Sequence, residues 1–302
     1  MTSGALFLGI DGGGTRCRAR LTAASGQRLA EAAAGPANIR TGLPQAFAAV
    51  LEVSLACLRE AGLSPRALSR TIACLALAGA SEPADLAAAQ RRRHPFGHTV
   101  VTSDAHAACV GAHAGRDGAI IVVGTGSIGW AELNGRHYRV GGWGLPMSDE
   151  GSGAWLGCEA LRRVLWARDA RVPWTGLLAA LYEDFQADPH VIVRWAAGAG
   201  PRDFAALAPR VVEHAAANDI VAVELMRLAA GHVDALAARL AAFGAERLAL
   251  TGGLTASLAP WLAPETARLL VTPAGDALDG ALRLARDAHA EAEATKPRRR
   301  RA

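Results

Sequence analysis

Lysine is almost absent from this chain: of 302 residues only Lys296 is one. A phosphate loop ending in Lys-Ser or Lys-Thr is therefore excluded. An anion held by the folded body must rely on backbone amides, hydroxyls, arginine or a metal. Aromatic residues make up only 5%, and the dominance of Ala and Leu favours helix-rich layers over a β-sandwich. No uninterrupted apolar run approaches the ~18 residues of a membrane span, so no membrane partner is expected. The N-terminus has no basic leader before its short apolar run, so no signal peptide is expected. Close cysteine pairs are also missing. Cys17, Cys57, Cys74, Cys109 and Cys158 are scattered, which argues against a zinc or redox site and for reduced structural thiols in a cytoplasmic protein.

The net charge of +4 is a property of the C-terminus. Lys296, Arg298, Arg299, Arg300 and Arg301 account for it, and the rest of the chain is near neutral. No nucleic-acid partner is expected, and residues 295–302 read as a disordered, solvated basic tail. The length and an apolar fraction of 51% suit two domains with substantial cores.

The stretch that organises the rest is Gly9-Ile10-Asp11-Gly12-Gly13-Gly14-Thr15. Ala5 to Ile10 reads as a buried strand, and the alternating Arg16 to Thr22 as a second. The glycines thus form the tip of a hairpin. Such a loop lets backbone N–H groups approach an anion closely, and the Asp11 carboxylate beside it suits a hydrated Mg²⁺. An ordinary glycine turn would use the same residues. Further strands are expected near Gln27–Ala33, Thr71–Ala78 and His98–Thr102, and helices over Pro44–Ala61, Glu82–Arg93 and Ala105–His113, with Asp104 at or near the last N-terminus.

At Gly118 the pattern restarts. Ala119 to Val123 is strand-like and runs into Gly124-Thr125-Gly126-Ser127-Ile128-Gly129. Two strands joined by Asn134-Gly135 follow. This repetition is the trace of a duplicated α/β domain. Gly124-x-Gly126-x-x-Gly129 also matches the dinucleotide fingerprint, but that fingerprint must open a helix, and Trp130 to Leu133 alternates as a strand. Gly151 to Ala242 is expected to be almost wholly helical, broken near 172–173, 188–189, 198–201 and 218–219. Strands at Glu246–Thr251 and Leu269–Thr272 and a helix over Gly275–Ala294 complete the chain.

Three glycine features, at Gly12, Gly124 and Gly252-Gly253, each end an expected strand, where open α/β sheets bind ligands. Asp104 suits a general base, since it follows a strand at a helix start; a plain cap explains it equally well. In Gly141-Gly142-Trp143-Gly144 with Asp149-Glu150-Gly151-Ser152, carboxylates and an indole suit sugar hydroxyls and a sugar ring face.

These landmarks, with Ser103-Asp104-Ala105 and Thr251-Gly252-Gly253, resemble the N-acetylglucosamine kinase and BadF/BadG/BcrA/BcrD ATPase group of the actin, Hsp70 and hexokinase superfamily. The resemblance spans residues 9 to 280. It implies duplicated actin-like (ribonuclease H-like) α/β domains, two lobes around a nucleotide cleft. Residues 1–115 would form the first, with helix 276–294 packing back on it. Residues 116–275 would form the second, carrying a helical insertion. It implies ATP- and Mg²⁺-dependent phosphorylation of an amino sugar on its 6-hydroxyl, N-acetylglucosamine or glucosamine, by a homodimer that closes on sugar. Asp104 would be the base and Asp11 would act through the metal. Gly12, Gly13, Gly14, Thr15, Gly124, Thr125, Gly126, Ser127, Gly252 and Gly253 would bind ATP. Asn38, Asp104, Gly142, Trp143, Gly144 and Asp149 would bind the sugar. Ser148 departs from the family, which usually has glycine there. The alternatives are an ATPase that activates a dehydratase, which needs iron–sulfur cysteines, and a non-catalytic sugar sensor.

Overall fold

A computed structural model describes residues 4–295; the basic tail 296–302 lies outside them. The chain forms two compact units. One runs to Asp117 and resumes at Thr272, and the other is Gly118–Val271.

In the first unit, strands β1 (Leu6–Gly12), β2 (Cys17–Ala23) and β3 (Arg28–Ala34) form an antiparallel meander. Helix α1 (Leu43–Glu60), strand β4 (Thr71–Leu77), helix α2 (Pro83–Arg91), strand β5 (His98–Ser103) and helix α3 (Asp104–Ala112) follow. The sheet order is β3-β2-β1-β4-β5, with β1, β4 and β5 parallel. The two-residue period of a strand sends alternate side chains to opposite faces. Leu6, Leu8, Ile10, Cys17, Ala19, Leu21, Ala73, Leu75 and Leu77 join α1 residues such as Ala46, Phe47, Val50 and Val53 in one core. Phe7, Ile72, Cys74 and Ala76 join Ala107 of α3 and residues Ala281, Leu282 and Ala285 on the other. A sheet covered on both faces explains why β4 is buried throughout.

The second unit repeats the plan. Strands β6 (Gly118–Val123), β7 (Ser127–Leu133) and β8 (Arg136–Gly141) form the meander. Helices α4 (Gly153–Arg168), α5 (Gly176–Asp184), α6 (Pro189–Gly198), α7 (Pro201–Ala205), α8 (Ala208–Ala216) and α9 (Ile220–Ala242) lead to strand β9 (Leu248–Thr251). The order β8-β7-β6-β9, with β6 parallel to β9, reproduces the first sheet up to its fourth strand. Asp188 and Asp219 cap α6 and α9, accepting the N–H of His190 and of Val221 and Ala222. The unit ends in α10 (Thr255–Leu258) and α11 (Pro264–Leu269).

The expected strand at Leu269–Thr272 is a correction. Leu269 closes α11, and only Leu270 pairs, in a single parallel bridge with Leu248. Pro264 opens α11, and the helix takes in Leu269, the first residue of the expected strand. A further break, at Ala206–Leu207, separates α7 from α8, where Pro209 sits in the first turn of α8. Gly129 lies inside β7, so the second glycine loop is shorter than its motif.

Helix α12 (Ala277–Thr295) returns to the first unit and includes Thr295, which the sequence reading placed in the tail. It approaches α3 closely. A Cβ on Gly280 would overlap the Ala107 carbonyl, and one on Gly111 the Asp276 carbonyl. Among the described residues no helix is long and apolar enough to cross a membrane. All five cysteines are free thiols, four of them buried; desolvation pushes Cys74 up to about 12.

Candidate active site

In the first unit the tip of the β1–β2 hairpin is built on backbone contacts. Gly13 N donates to Arg16 O at 3.0 Å, and Gly13 O accepts from Ala37 N at 3.0 Å. A Cβ on Gly12 would lie 2.6 Å from Leu77 Cδ2 and 3.1 Å from the Ala37 Cβ, so this glycine lets the hairpin seat against β4. Gly14 and Thr15 are exposed at the tip. Asn38 lies beside them: a Cβ on Gly14 would be 3.9 Å from its Nδ2. Asn38 Oδ1 accepts from Arg40 N at 2.9 Å, which fixes its amide.

Asp11 faces the α12 side of the sheet and is gripped by Arg18. Both guanidinium contacts, Nη2 at 2.7 Å and Nε at 3.2 Å, fall on Oδ2. The other oxygen, Oδ1, takes neither of these contacts. A hard carboxylate oxygen beside the exposed hairpin tip fits Mg²⁺ with its retained waters. Arg18 also reaches Asp276 at 3.5 Å, and Arg20 joins Asp276, Asp279 and Glu31. Burial pushes the Asp276 carboxyl up, but the Asp279 N–H and the two arginines hold it below its usual value.

Asp104 is the first residue of α3, at the carboxyl end of β5. Ser103, not Asp104, caps the helix, accepting His106 N at 3.1 Å. Asp104 Oδ1 accepts from Ala105 N at 2.9 Å and the side chain is half-buried. Because β1, β4 and β5 are parallel, Asp104 and the hairpin tip lie at the same end of one sheet.

In the second unit the Gly124–Ser127 loop is closed by Gly124 N donating to Gly126 O at 2.9 Å. Helix α4 begins against it: Gly153 N donates to Gly124 O at 2.9 Å and Ala154 N to Thr125 O at 3.1 Å. The loop runs directly into β7, so the dinucleotide fingerprint has no helix to open. Ser127 Oγ donates to Glu150 O at 2.7 Å and braces the loop. The third glycine feature is adjacent. Gly252 has φ 103° and meets the Val123 carbonyl, and Leu254 N donates to Val123 O at 3.1 Å.

Asp149 is buried at 9% exposure with φ 67°. Burial pushes its carboxyl up, against the N–H groups of Ser127, Gly144 and Leu145, which donate to it. The carboxylate therefore ties the Gly124 loop to the Gly142-Trp143-Gly144 loop. Trp143 is 61% exposed, an indole presented rather than packed as core. Ser152 caps α4, accepting Trp155 N at 3.2 Å. Reading the sequence did not find Arg18, Asp276 or Arg139; only the arginine alternation of β2 hinted at the first.

The paired meanders, the duplicated sheet order and the glycine loops at strand ends define an actin-like α/β ATPase fold. A solved structure of ROK hexokinase from Thermus thermophilus shares it, with TM-score 0.54 at 18% identity over 96% of this chain and 99% of that one. The chain belongs to the BadF/BadG/BcrA/BcrD ATPase family, which matches residues 8–268, and it therefore uses ATP. It is 38% identical to glucosamine kinase GspK of Vibrio cholerae, over 92% of this chain and 95% of that protein. It is also similar to a structure from Chromobacterium violaceum provisionally assigned as an N-acetylglucosamine kinase, with TM-score 0.87 and 36% identity over 93% of this chain and 99% of that one.

Proposed function

We propose that this chain transfers the γ-phosphoryl group of ATP to the 6-hydroxyl of an amino sugar, glucosamine or N-acetylglucosamine. The observation that carries the reading is the placement of Asp104 and the Asp11 hairpin at one end of one sheet, in a chain similar over its length to a glucosamine kinase.

Phosphoryl transfer through a loose transition state asks for positioning and charge stabilisation more than covalent help. The N–H groups of Gly14 and Thr15 in one unit, and the Gly124–Gly126 loop in the other, are the phosphate contacts in this reading, with Gly252-Gly253 on the adenosine. Asn38 and the Gly142-Trp143-Gly144 loop hold the sugar. Asp104 orients the 6-hydroxyl and accepts its proton as the O6–P bond forms. The bond from the γ-phosphorus to the bridging oxygen breaks, and its electron pair leaves with ADP. Asp11 would hold Mg²⁺, and the ion when bound would supply positive charge that offsets the charge developing on the transferred phosphoryl group. A cytoplasmic location and a homodimer belong to the same reading.

The test is ADP release with a panel of sugars. Glucosamine or N-acetylglucosamine should raise the rate far above the basal one. Asp104→Asn should cut kcat by roughly 10²–10⁴-fold, the usual size of a general-base contribution, with sugar affinity retained. Turnover indifferent to any amino sugar would end the proposal, and a near-normal Asp104→Asn would end the base assignment.

A further inference from the structure

Arg139 is on β8, two residues before the turn that carries Trp143. Its Nε donates to Gly141 O at 3.1 Å and its Nη2 to Gly142 O at 2.5 Å. The guanidinium carbon lies 4.0 Å from the centroid of the Trp143 ring. One side chain thus holds two successive carbonyls and one face of the following indole.

The turn needs this support for a local reason. Gly141 and Gly142 have φ of 67° and 70°, a conformation that glycine alone enters freely. A Cβ on Gly142 would also lie 2.7 Å from Ile128 Cγ1. Two glycines in a row leave the backbone entropically loose. Trp143 is mostly exposed, so packing does little to set its rotamer. A planar guanidinium is suited to this position: its fork matches two carbonyls and its face stacks on an aromatic ring. A lysine ammonium has neither the fork nor the face.

We propose that Arg139 is a positioning residue for the acceptor sugar. It fixes the plane of the Trp143 indole so that the ring face away from the guanidinium meets the pyranose. This rests on the reading of Trp143 as a sugar contact. Arg139 touches no reacting atom in this role and acts through Trp143.

The test is sugar affinity by calorimetry without nucleotide, alongside KM for sugar and for ATP, in Arg139→Met, Arg139→Lys, Trp143→Ala and the Arg139→Met/Trp143→Ala double variant. Stacked and charge-assisted contacts of this kind are worth about tenfold in affinity. Arg139→Met should therefore weaken sugar binding about tenfold and leave KM for ATP within about twofold. Arg139→Lys should recover little of the loss, because charge alone does not rebuild the fork. The double variant should bind sugar no worse than Trp143→Ala, since residues acting as one unit are non-additive. Normal sugar affinity in Arg139→Met beside a weakened Trp143→Ala overturns the proposal. So do additive losses in the double variant, or an equal rise in both KM values. Normal sugar affinity in Trp143→Ala overturns the sugar reading of that residue and the role of Arg139 with it. If Arg139→Met does not fold, Arg139→Lys carries the same comparison, and wild-type affinity in it counts against the proposal.

Discussion

A Cβ on Gly126 would sit 2.6 Å from Oδ2 of Asp149. The glycine of the second loop and the buried carboxylate occupy adjoining space, and the carboxylate also accepts the N–H of Ser127. Gly126→Ala must push either the loop or the carboxylate aside. Crowding of this kind costs about 1–3 kcal/mol, which in the proposed site appears as an ATP KM raised roughly tenfold or more. The loss should be smaller than the sum when combined with Asp149→Ala, which vacates the space. Initial-rate kinetics of the double-mutant cycle check this, and strict additivity would argue against the contact.

Arg18 binds only Oδ2 of Asp11 and is itself held by Asp276. Removing it should let the carboxylate rotate. Arg18→Met is expected to raise the half-saturating Mg²⁺ roughly three- to tenfold, in keeping with a charge-assisted contact. A Mg²⁺ titration of the rate, with Mg²⁺-dependent ATP binding as a second readout, decides it. Chelation of the divalent ion should abolish turnover in both proteins.

Asp219 caps α9 and also accepts Leu177 N at 2.8 Å. Burial pushes its carboxyl up, but the N–H groups of Leu177, Ala222 and Val221 and the Thr175 hydroxyl outweigh it and hold the carboxyl below its ordinary value. A depressed folded pKa contributes stability above the unfolded pKa of about 3.9 and loses it as pH falls through the folded value. Asp219→Ala should therefore cost about 1–2 kcal/mol at neutral pH, and the difference from wild type should shrink toward pH 3. Denaturant titrations at the two pH values measure it. A gap that grows on acidification would contradict the assignment.

Two helix glycines should respond with opposite signs. Gly280 in α12 lies so close to α3 that a Cβ would overlap the Ala107 carbonyl, whereas a Cβ on Gly231 in α9 meets nothing within 4 Å. Gly280→Ala should destabilise by about 1–3 kcal/mol or more through overpacking. Gly231→Ala should stabilise by roughly 0.5–1 kcal/mol, because it removes the helix penalty of glycine at an open position. Thermal midpoints of the two variants give the comparison directly.

Much of the architecture is local information and was legible in the chain. The alternation of Cys17 to Ala23, the continuous apolar run of Thr71 to Leu77 and the Asn134-Gly135 turn each report a strand or hairpin through their own neighbours. The caps at Asp188 and Asp219 were likewise local. Leu270 was misread because one apolar residue that bridges to Leu248 looks, in sequence, like the middle of a strand.

The sequence by itself determined the duplicated meanders, most of the helices and strands between them and the three glycine loops, since periodicity and turn chemistry act over a few residues. Tertiary structure decided what the side chains in those loops do. Asp11 is steered by Arg18 and, through it, by Asp276 from the far end of the chain. Ser127 braces Glu150, and Asp149 joins two loops by accepting backbone N–H groups from both. Arg18 is near Asp11 in sequence, but Asp276 is remote from Arg18 and Ser127 from Asp149 and Glu150, and these meet only when strands pair and helices close over them. No local pattern encodes the Asp276 that reaches Arg18 from the other end of the chain, or the Ser127 N–H that reaches Asp149.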